Sequence, residues 1–246
     1  MSLFLKEKIE IAIKILQENE PKEGYYLAFS GGKDSIVIYD LAVKSGVKFD
    51  AHYNVTTVDP PELLKFIKEN YPNVIWNRPK YNMLQLIEMH RTLPNRLMRF
   101  CCKYLKERGG INRIVIDGVR AAESSRRAKR NKIEDDRNYN KKYIHIIFDW
   151  SDKEVWEYIK ENNLRYCSLY DEGYKRIGCI GCPFKSEKER RKDFERYPYL
   201  EKVYKAVLKR VFEERPDKYF GTDVEAYWNW WLSGKSIKEW KQQNAT

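Results

Sequence analysis

The stretch from Tyr25 to Tyr39 constrains the fold more than any other part of the sequence. An apolar run of strand length, Tyr25 to Phe29, is followed by Ser-Gly-Gly-Lys-Asp-Ser, and apolar residues then recur at helical spacing from Ile36 onward. A strand, a glycine-rich turn and a helix start form an anion cradle, because the N–H groups of the helix N-terminus point at the anion. We therefore predict a phosphate-binding loop between this strand and this helix.

The loop is distinct from a Walker motif, in which four residues separate the first glycine from Gly-Lys. Its two glycines allow close backbone approach and positive φ angles. The alternatives are a glycine turn before an ordinary helix and, for Asp34 and Ser35, a capping role alone. The residues expected to hold a nucleotide's phosphates are Ser30, Gly31, Gly32, Lys33, Asp34 and Ser35.

Short apolar runs alternate with helical segments along the following part of the chain. We predict strands at Val55–Val58, Val74–Trp76, Ile114–Asp117 and Tyr143–Phe148. This alternation predicts an α/β fold with a doubly wound, mostly parallel sheet, in which ligands bind at the carboxyl ends of the strands.

The segments around this sheet differ in composition. Residues 1–22 form an amphipathic helix, residues 23–185 form the nucleotide-binding α/β domain with its cysteines, and residues 186–246 form a basic, tryptophan-rich helical extension. Residues 128–142 are very polar, which predicts a mobile loop that is either a lid or a disordered excursion. No internal repeat is present.

The net charge of +11 favours polyanionic partners, either nucleotides or a nucleic acid, although lysine-rich helices are also common as solvated faces. Leu3-Phe4-Leu5 is followed at once by charged residues, so we expect no signal peptide. No apolar run approaches the length of a membrane span. A cytoplasmic protein without a membrane partner is expected, and its oligomeric state, a homo-oligomer included, is left open.

Four of the five cysteines are clustered in a pattern suited to a metal centre. Cys179 and Cys182 are separated by two residues, which lets both sulfurs reach one metal, and Cys101 and Cys102 are adjacent. Four thiolates can hold either a zinc ion or a [4Fe–4S] cluster, and two reduced thiols beside an unrelated Cys-x-x-Cys are the alternative. Neighbouring cysteines suit a cluster better, because they can bind different irons. Cys167 is expected to be a packed or surface thiol.

Four further residues are candidates for the nucleotide site. Asp59 follows a predicted strand, where a carboxylate could bind Mg²⁺ beside ATP or simply cap the strand end. Arg120 and Arg127, with Arg126, offer guanidinium groups for phosphate or sulfate oxygens. We expect Arg120, the one nearest to a strand end, to make the main contact.

Taken in order, these motifs resemble the sulfonucleotide reductases, or phosphoadenosine phosphosulfate (PAPS) reductase family, within the adenine nucleotide α-hydrolase superfamily. The motifs are the Ser30–Ser35 loop, Gly118-Val119-Arg120 with Glu123 and Arg127, Trp150-Ser151 with Trp156, and Leu169-Tyr170 through Cys182. The resemblance implies a Rossmann-like fold, an adenylyl nucleotide as ligand and an oxidoreductase reaction in which thioredoxin discharges sulfite. It also implies a [4Fe–4S] cluster on Cys101, Cys102, Cys179 and Cys182.

One departure affects the expected reaction. The nucleophile of the family is a cysteine in a Glu-Cys-Gly-Leu-His segment, and no cysteine follows Cys182 in these 246 residues. The catalytic nucleophile is therefore unassigned. The main hypothesis is a PAPS reductase-like iron–sulfur enzyme that binds adenosine phosphosulfate (APS), PAPS or ATP. The alternative is an ATP-dependent sulfurtransferase that adenylates tRNA or DNA and takes sulfur from a donor, and a third reading is a nucleotide sensor without catalysis.

Overall fold

The computed structural model describes residues 2–244. Its strands are β1 (Tyr25–Ala28), β2 (Phe49–Asn54), β3 (Ile75–Asn77), β4 (Ile114–Ile116), β5 (Ile133–Asp136) and β6 (Lys141–Ile144). Its helices are α1 (Leu3–Glu18), α2 (Lys33–Ser45), α3 (Pro61–Asn70), α4 (Met83–His90), α5 (Phe100–Leu105), α6 (Asp152–Glu161), α7 (Glu187–Arg196), α8 (Pro198–Glu214), α9 (Val224–Ser233) and α10 (Ile237–Asn244).

The chain divides into two compact units. The sheet unit comprises Met1–Val55, Pro61–Arg78 and Arg108–Ile177, and the helical unit comprises Thr56–Pro60, Pro79–Glu107 and Gly178–Thr246. The division predicted from the sequence, with boundaries after residues 22 and 185, remains a prediction about functional regions.

A six-stranded sheet in the order β3-β2-β1-β4-β6-β5 forms the centre of the sheet unit. All its pairings are parallel except that of β5 with β6. The predicted α/β class with a mostly parallel sheet is therefore confirmed. After β1 the chain moves outward to β2 and β3, and then returns to place β4 on the other side of β1. This reversal makes the carboxyl ends of β1 and β4 a switch point of the sheet, where such folds bind ligands.

Local sequence explains why these elements form. The β1 residues Tyr25 and Leu27 are fully buried, as a central strand of a covered parallel sheet requires. Helix α2 ends at Gly46 in the left-handed conformation, which closes the helix after its last apolar turn. Ser151 and Glu154 form the predicted capping box at the start of α6.

The second strand was predicted too late in the sequence. It spans Phe49–Asn54, and residues Val55–Val58 form a turn instead. The Thr56 N–H and hydroxyl both donate to the Asp59 carboxylate, at 2.7 Å each, and Thr57 has a φ of 65°. β-branched residues suggested a strand, but the carboxylate three residues later offers these donors a local acceptor.

The polar segment 128–142 is not simply a loop, because Ile133–Asp136 forms the antiparallel edge strand β5. Glu134 accepts hydrogen bonds from the Arg130 side chain and from the Asn131 N–H, which fix the turn into the strand. The next strand, β6, ends at Ile144 and is thus shorter at its carboxyl end than the predicted Tyr143–Phe148.

The helical unit has its own apolar core, in which the aromatic residues near the C-terminus lie. Trp228 and Trp231 are 2% and 3% exposed. The Trp231 indole N–H donates to the Pro94 carbonyl at 2.7 Å, and the Leu93 N–H donates to the Tyr227 hydroxyl at 3.1 Å. The tryptophan-rich region therefore contributes to a core. Among residues 2–244, no helix combines the length and the apolar character needed to cross a membrane.

Candidate functional site

The predicted phosphate loop connects β1 to α2 at the switch point of the sheet. Gly31 has a φ of 71°, and a Cβ there would lie 2.7 Å from the Leu63 and Ile67 side chains, so only glycine fits. Gly32 is the N-cap of α2 and supplies no side-chain acceptor to the first turn. Since a helix start leaves N–H groups without intrahelical partners, the loop retains donors for an anion.

Two serines brace this loop from within. The Ser35 hydroxyl donates to the Gly32 carbonyl at 2.8 Å, and the Ser30 hydroxyl lies 3.2 Å from the Ser35 hydroxyl oxygen. Ser35 is buried. These bonds hold the backbone in a turn, and the phosphate contact predicted for the serines remains a prediction.

A compact network of two cations and two carboxylates surrounds the start of α2. The Lys33 ammonium is 3.1 Å from Asp34 and 3.0 Å from Asp152, and Arg120 donates to the same two carboxylates at 2.6 and 2.9 Å. Arg120 also donates to the Trp150 carbonyl at 3.1 Å. Lys33 and Arg120 are 5% and 2% exposed, whereas the Asp152 side chain is 64% exposed.

The network determines what these residues can do. Arg120 is surrounded by acceptors, which makes it a positioning group for Asp34 in this structure. Partial burial opposes ionisation of Asp152, but Lys33 and Arg120 hydrogen-bond it and hold its pKa below the usual value. Asp152 is also the accessible member, so an anion entering the loop can displace it from Lys33. The ammonium of the buried Lys33 can then pair with the bound anion.

Gly118 explains how the end of β4 approaches the loop. A Cβ at this position would lie 2.9 Å from the Asp34 Cβ and 3.1 Å from its carbonyl carbon. The segment Gly118-Val119-Arg120 can therefore pass directly beside α2. The structure brings together the loop and Arg120, which are far apart in the sequence.

Tyr170 is a contact residue that the sequence analysis did not assign. Its hydroxyl accepts the Lys33 backbone N–H at 2.9 Å. Burial raises the pKa of Tyr170, so the phenol stays protonated. Its O–H can therefore donate a hydrogen bond to a further oxygen. The Leu169-Tyr170 pair was part of the family motif, and this was the available signal. Asp152 was likewise missed, although it follows the recognised N-cap Ser151.

The remaining nucleotide candidates lie in other surroundings. Arg127 contacts Glu123, which also accepts the Arg120 backbone N–H at 3.0 Å, and Arg126 is exposed. Asp59 belongs to the helical unit, where Thr56 occupies both of its carboxylate oxygens. Its strand-end capping alternative describes this geometry, and a role in binding Mg²⁺ remains a prediction.

The four clustered cysteines all lie in the helical unit. Cys101 and Cys102 are on α5, whereas Cys179 and Cys182 are in the loop before α7. That loop is anchored because the Ile180 N–H donates to the Val58 carbonyl at 2.8 Å, and the Gly181 N–H donates to Asp193, also at 2.8 Å. None of the four forms a disulfide.

Electrostatic coupling shows that the four thiols face a common region. A hydrogen bond from Cys101 lowers the pKa of Cys102 to about 6, with help from Lys106 and Arg99, and raises that of Cys101. Cys179 and Cys182 also act on Cys101. Facing thiol groups, Cys179 first, raise the pKa of Lys106.

These observations test whether the residues suit a metal cluster. Among residues 2–244, no group of three or more His, Cys, Asp or Glu side chains is already arranged to hold a metal ion. Four reduced thiols from two segments, with a lysine facing them, nevertheless have the donor chemistry and the charge balance of an iron–sulfur site. The cysteines therefore fit the cluster as donors, and its presence remains a prediction.

The fold and the loop define a class of protein: a doubly wound α/β protein with a glycine-rich loop between β1 and α2. Within this class the chain belongs to the family described as the phosphoadenosine phosphosulfate reductase domain, which it matches over residues 24–185. The resemblance inferred from the motifs is confirmed. The matched range includes the loop, Arg120 and all four clustered cysteines.

Relatives of known sequence support this membership. The chain is 30% identical over 193 residues to the adenosine 5′-phosphosulfate reductase of Oceanobacillus iheyensis, covering 73% of this chain and 80% of that protein. It is also 30% identical over 225 residues to an uncharacterized protein of Methanocaldococcus jannaschii, covering 85% of this chain and 46% of the relative. The chain spans about half the length of this archaeal relative and of a second one, of which it covers 54%.

The fold has a counterpart among solved structures. The phosphoadenylyl-sulfate (PAPS) reductase from Candida auris superposes with a TM-score of 0.53 at 18% sequence identity, covering 73% of this chain and 96% of that chain. At this identity the similarity establishes the fold alone.

Proposed function

We propose that this protein is a PAPS reductase-like enzyme that binds an adenylyl nucleotide, APS, PAPS or ATP, at the loop Ser30–Ser35. The observation that supports this most is the position of the loop. It lies at the switch point between β1 and β4, at an uncapped helix start, with a buried lysine whose carboxylate partner is accessible. The named activity of the Oceanobacillus relative, an adenosine 5′-phosphosulfate reductase, supports the choice of ligand.

Each residue has a specific role in this proposal. The first-turn N–H groups of α2 and the Lys33 ammonium bind the phosphates. The Tyr170 hydroxyl donates a hydrogen bond to one of the phosphate oxygens. Arg120 orients Asp34 through their ion pair. The ion pair between Asp152 and Lys33 breaks when the anion binds to Lys33. Arg127 and Arg126 remain candidates for the sulfate or a further phosphate. The nucleophile of the reaction is unassigned.

Calorimetric titration with APS, PAPS, ATP and AMP tests the proposal. We expect saturable binding of at least one adenylyl nucleotide, and Lys33→Ala should weaken it about tenfold or more, since a charged hydrogen bond contributes about 1.5–3 kcal/mol. Lys65→Ala on α3 is the matched control, because it removes one exposed lysine and should leave the affinity unchanged. No saturable binding of any of the four would contradict the proposal.

We further propose that Cys101, Cys102, Cys179 and Cys182 hold a [4Fe–4S] cluster, with zinc as the alternative. The support is the convergence of four reduced thiols with Lys106 facing them. When bound, such a cluster supplies negative charge and redox chemistry, and Lys106 balances part of that charge. Anaerobic purification with iron, sulfide and zinc analysis distinguishes a cluster, with about four irons per chain, from a single zinc ion.

ATP-dependent thiolation of tRNA or DNA is a second candidate. The observation that favours it is the net charge of +11, which suits a nucleic-acid substrate. The two reactions give different products. Sulfite released from APS or PAPS with thioredoxin supports the reductase, whereas pyrophosphate released from ATP only in the presence of tRNA or DNA supports the sulfurtransferase. Saturable binding without either product would favour a sensor.

A further inference from the structure

The helical unit contains a cavity of about 470 Å³ beside helix α5. Its volume is that of a small-molecule site. No residue of the Ser30–Ser35 loop lines it. Its lining residues are His90, Met98, Arg99, Phe100, Lys103, Tyr104 and Glu107.

Aromatic rings form much of the cavity wall. The His90 ring stacks on Phe100 with centroids 4.1 Å apart and planes 11° apart, and the Tyr104 ring lies 5.9 Å from His90. His90 is exposed, whereas Phe100, on which its ring stacks, is 7% exposed. An accessible flat ring on a rigid support is a surface on which a nucleobase can stack.

Cationic groups lie beside these rings. Lys103 is exposed, and its ammonium has no ion-pair partner among residues 2–244. Arg99 pairs with Glu107 at 3.3 Å, yet its Nε is buried without a hydrogen-bond partner within the same described range. The cavity thus offers cationic side chains for a phosphate next to rings for a base.

The entrance segment before α5 is held in an outward-facing turn. The Asn95 side chain accepts the N–H groups of Leu97 and Met98 at 2.9 and 2.8 Å. The turn leaves Leu97 95% exposed and Met98 49% exposed. Of these two residues, Met98 lines the cavity.

We propose that this cavity receives one unstacked base of a single-stranded nucleic acid, with the adjoining phosphate at Lys103 and Arg99. Charge favours a polymer over a free nucleotide, because the chain has a net charge of +11 and the cavity wall carries Arg99 and Lys103 against Glu107. A strand with several phosphates gains from such a surface, and a mononucleotide gains little. The proposal is independent of the nucleotide site in the sheet unit.

Fluorescence anisotropy with labelled 20-nucleotide RNA and DNA strands over a range of salt concentrations tests the inference. His90→Leu replaces the exposed imidazole ring with an aliphatic side chain and should weaken binding about tenfold, the effect of losing one stacked base. Lys103→Ala should lower the salt slope by about 0.7, the increment for one phosphate on a single strand. Lys65→Ala is the charge-matched control, and circular dichroism reports folding.

The strand itself supplies the decisive comparison. The wild type should bind an abasic strand of equal length and charge about tenfold more weakly than the normal strand. The His90→Leu variant should bind the two strands equally. Equal binding of normal and abasic strands by the wild type would overturn the base-binding proposal. Equal affinity for poly-glutamate would also overturn it and would indicate an acidic protein partner. Displacement of the strand by AMP at a concentration equal to that of the strand would likewise overturn it and would indicate a free nucleotide as the ligand.

Discussion

At Gly118 a single hydrogen atom stands where any other residue would place a carbon 2.9 Å from the Asp34 Cβ. The position lies between the end of β4 and the start of α2, the two elements that carry Arg120 and the phosphate loop. A side chain there would move Asp34, and with it the cations that Asp34 orients. Gly118 therefore matters for the site although it contacts no ligand in the proposed arrangement.

Gly118→Ala is expected to lower the free energy of unfolding by about 1–3 kcal/mol, the usual cost of overpacking a tight contact. It should also weaken adenylyl nucleotide binding, because Asp34 and Arg120 shift. Urea unfolding and calorimetry measure the two effects. Gly178→Ala is the matched control, since a Cβ at Gly178 meets no atom within 4 Å. Equal stability of the two variants would show that the contact relaxes without strain.

Asp152 gives the network a pH dependence whose sign is fixed by its lowered pKa. Its unfolded pKa is about 3.9, so its ion pairs stabilise the fold fully above that value and are lost as the pH falls through the lower, folded pKa. The stability difference between the wild type and Asp152→Asn should be constant near neutrality and shrink below about pH 4. Urea unfolding at several pH values measures it.

Asp135→Asn provides the control for this titration, because Asp135 is an exposed carboxylate on β5. Its stability difference from the wild type should stay small at every pH. A difference for Asp152→Asn that persists unchanged at pH 2 would mean that the neutral side-chain contacts, and not the charge, stabilise the network.

At the scale of elements, the unit of strand, loop and helix could be predicted because its signals are local. The apolar run of β1, the two glycines and the helical spacing of α2 occupy about twenty consecutive residues. The edge strand β5 could not be predicted, because Ile133-Glu-Asp-Asp contains one apolar residue and is defined by its pairing with β6. Propensity gives little information about a strand whose stability comes from a partner.

Long-range contacts account for the site residues that were missed. Tyr170 is 137 positions from Lys33, and Asp152 meets Arg120 only because α6 starts beside the end of β4. No local pattern reports such proximity. The Val55–Val58 error had the opposite cause, since β-branched residues gave a strong local signal that Asp59 overrides.

The edge strand β5 should depend on Glu134, which joins Arg130, the Asn131 N–H and, at 3.7 Å, the His145 ring. Glu134→Ala is expected to speed hydrogen exchange of the backbone N–H groups in the β5–β6 pairing by at least about tenfold, because the turn into the strand loses its acceptor. Asp135→Ala, on the same strand and exposed, is the control. Unchanged exchange in Glu134→Ala would show that the ladder alone holds the edge.

At the scale of the whole molecule, the two candidate sites belong to different units, so their losses should be separable. Cys102→Ser is expected to reduce bound iron and to speed hydrogen exchange in α5 and the Cys179–Cys182 loop, because metal binding contributes to the stability of the surrounding fold. Adenylyl nucleotide affinity of the sheet unit should change less than about threefold, within the range of indirect effects.

Cys167→Ala should affect stability without affecting the bound iron. This thiol is fully buried in the sheet unit, so its loss should lower stability by about 1 kcal/mol, as small core truncations do, and leave the iron content unchanged. Iron analysis and hydrogen exchange of both variants make the comparison. Loss of iron in Cys167→Ala would contradict the assignment of the four ligands.

The polypeptide passes between the two units five times, since each is assembled from three separate segments. Neither unit can therefore be produced as one uninterrupted fragment. A single proteolytic cut between residues 177 and 178 would leave every segment of the sheet unit on the N-terminal fragment and would divide the helical unit between the two fragments. During synthesis, β1 and its loop emerge early, but the sheet unit is complete only once Ile177 has been made. Contacts between residues far apart in the sequence form slowly. The N-terminal part of the sheet unit must therefore avoid aggregation until the segments that complete the unit have been synthesised.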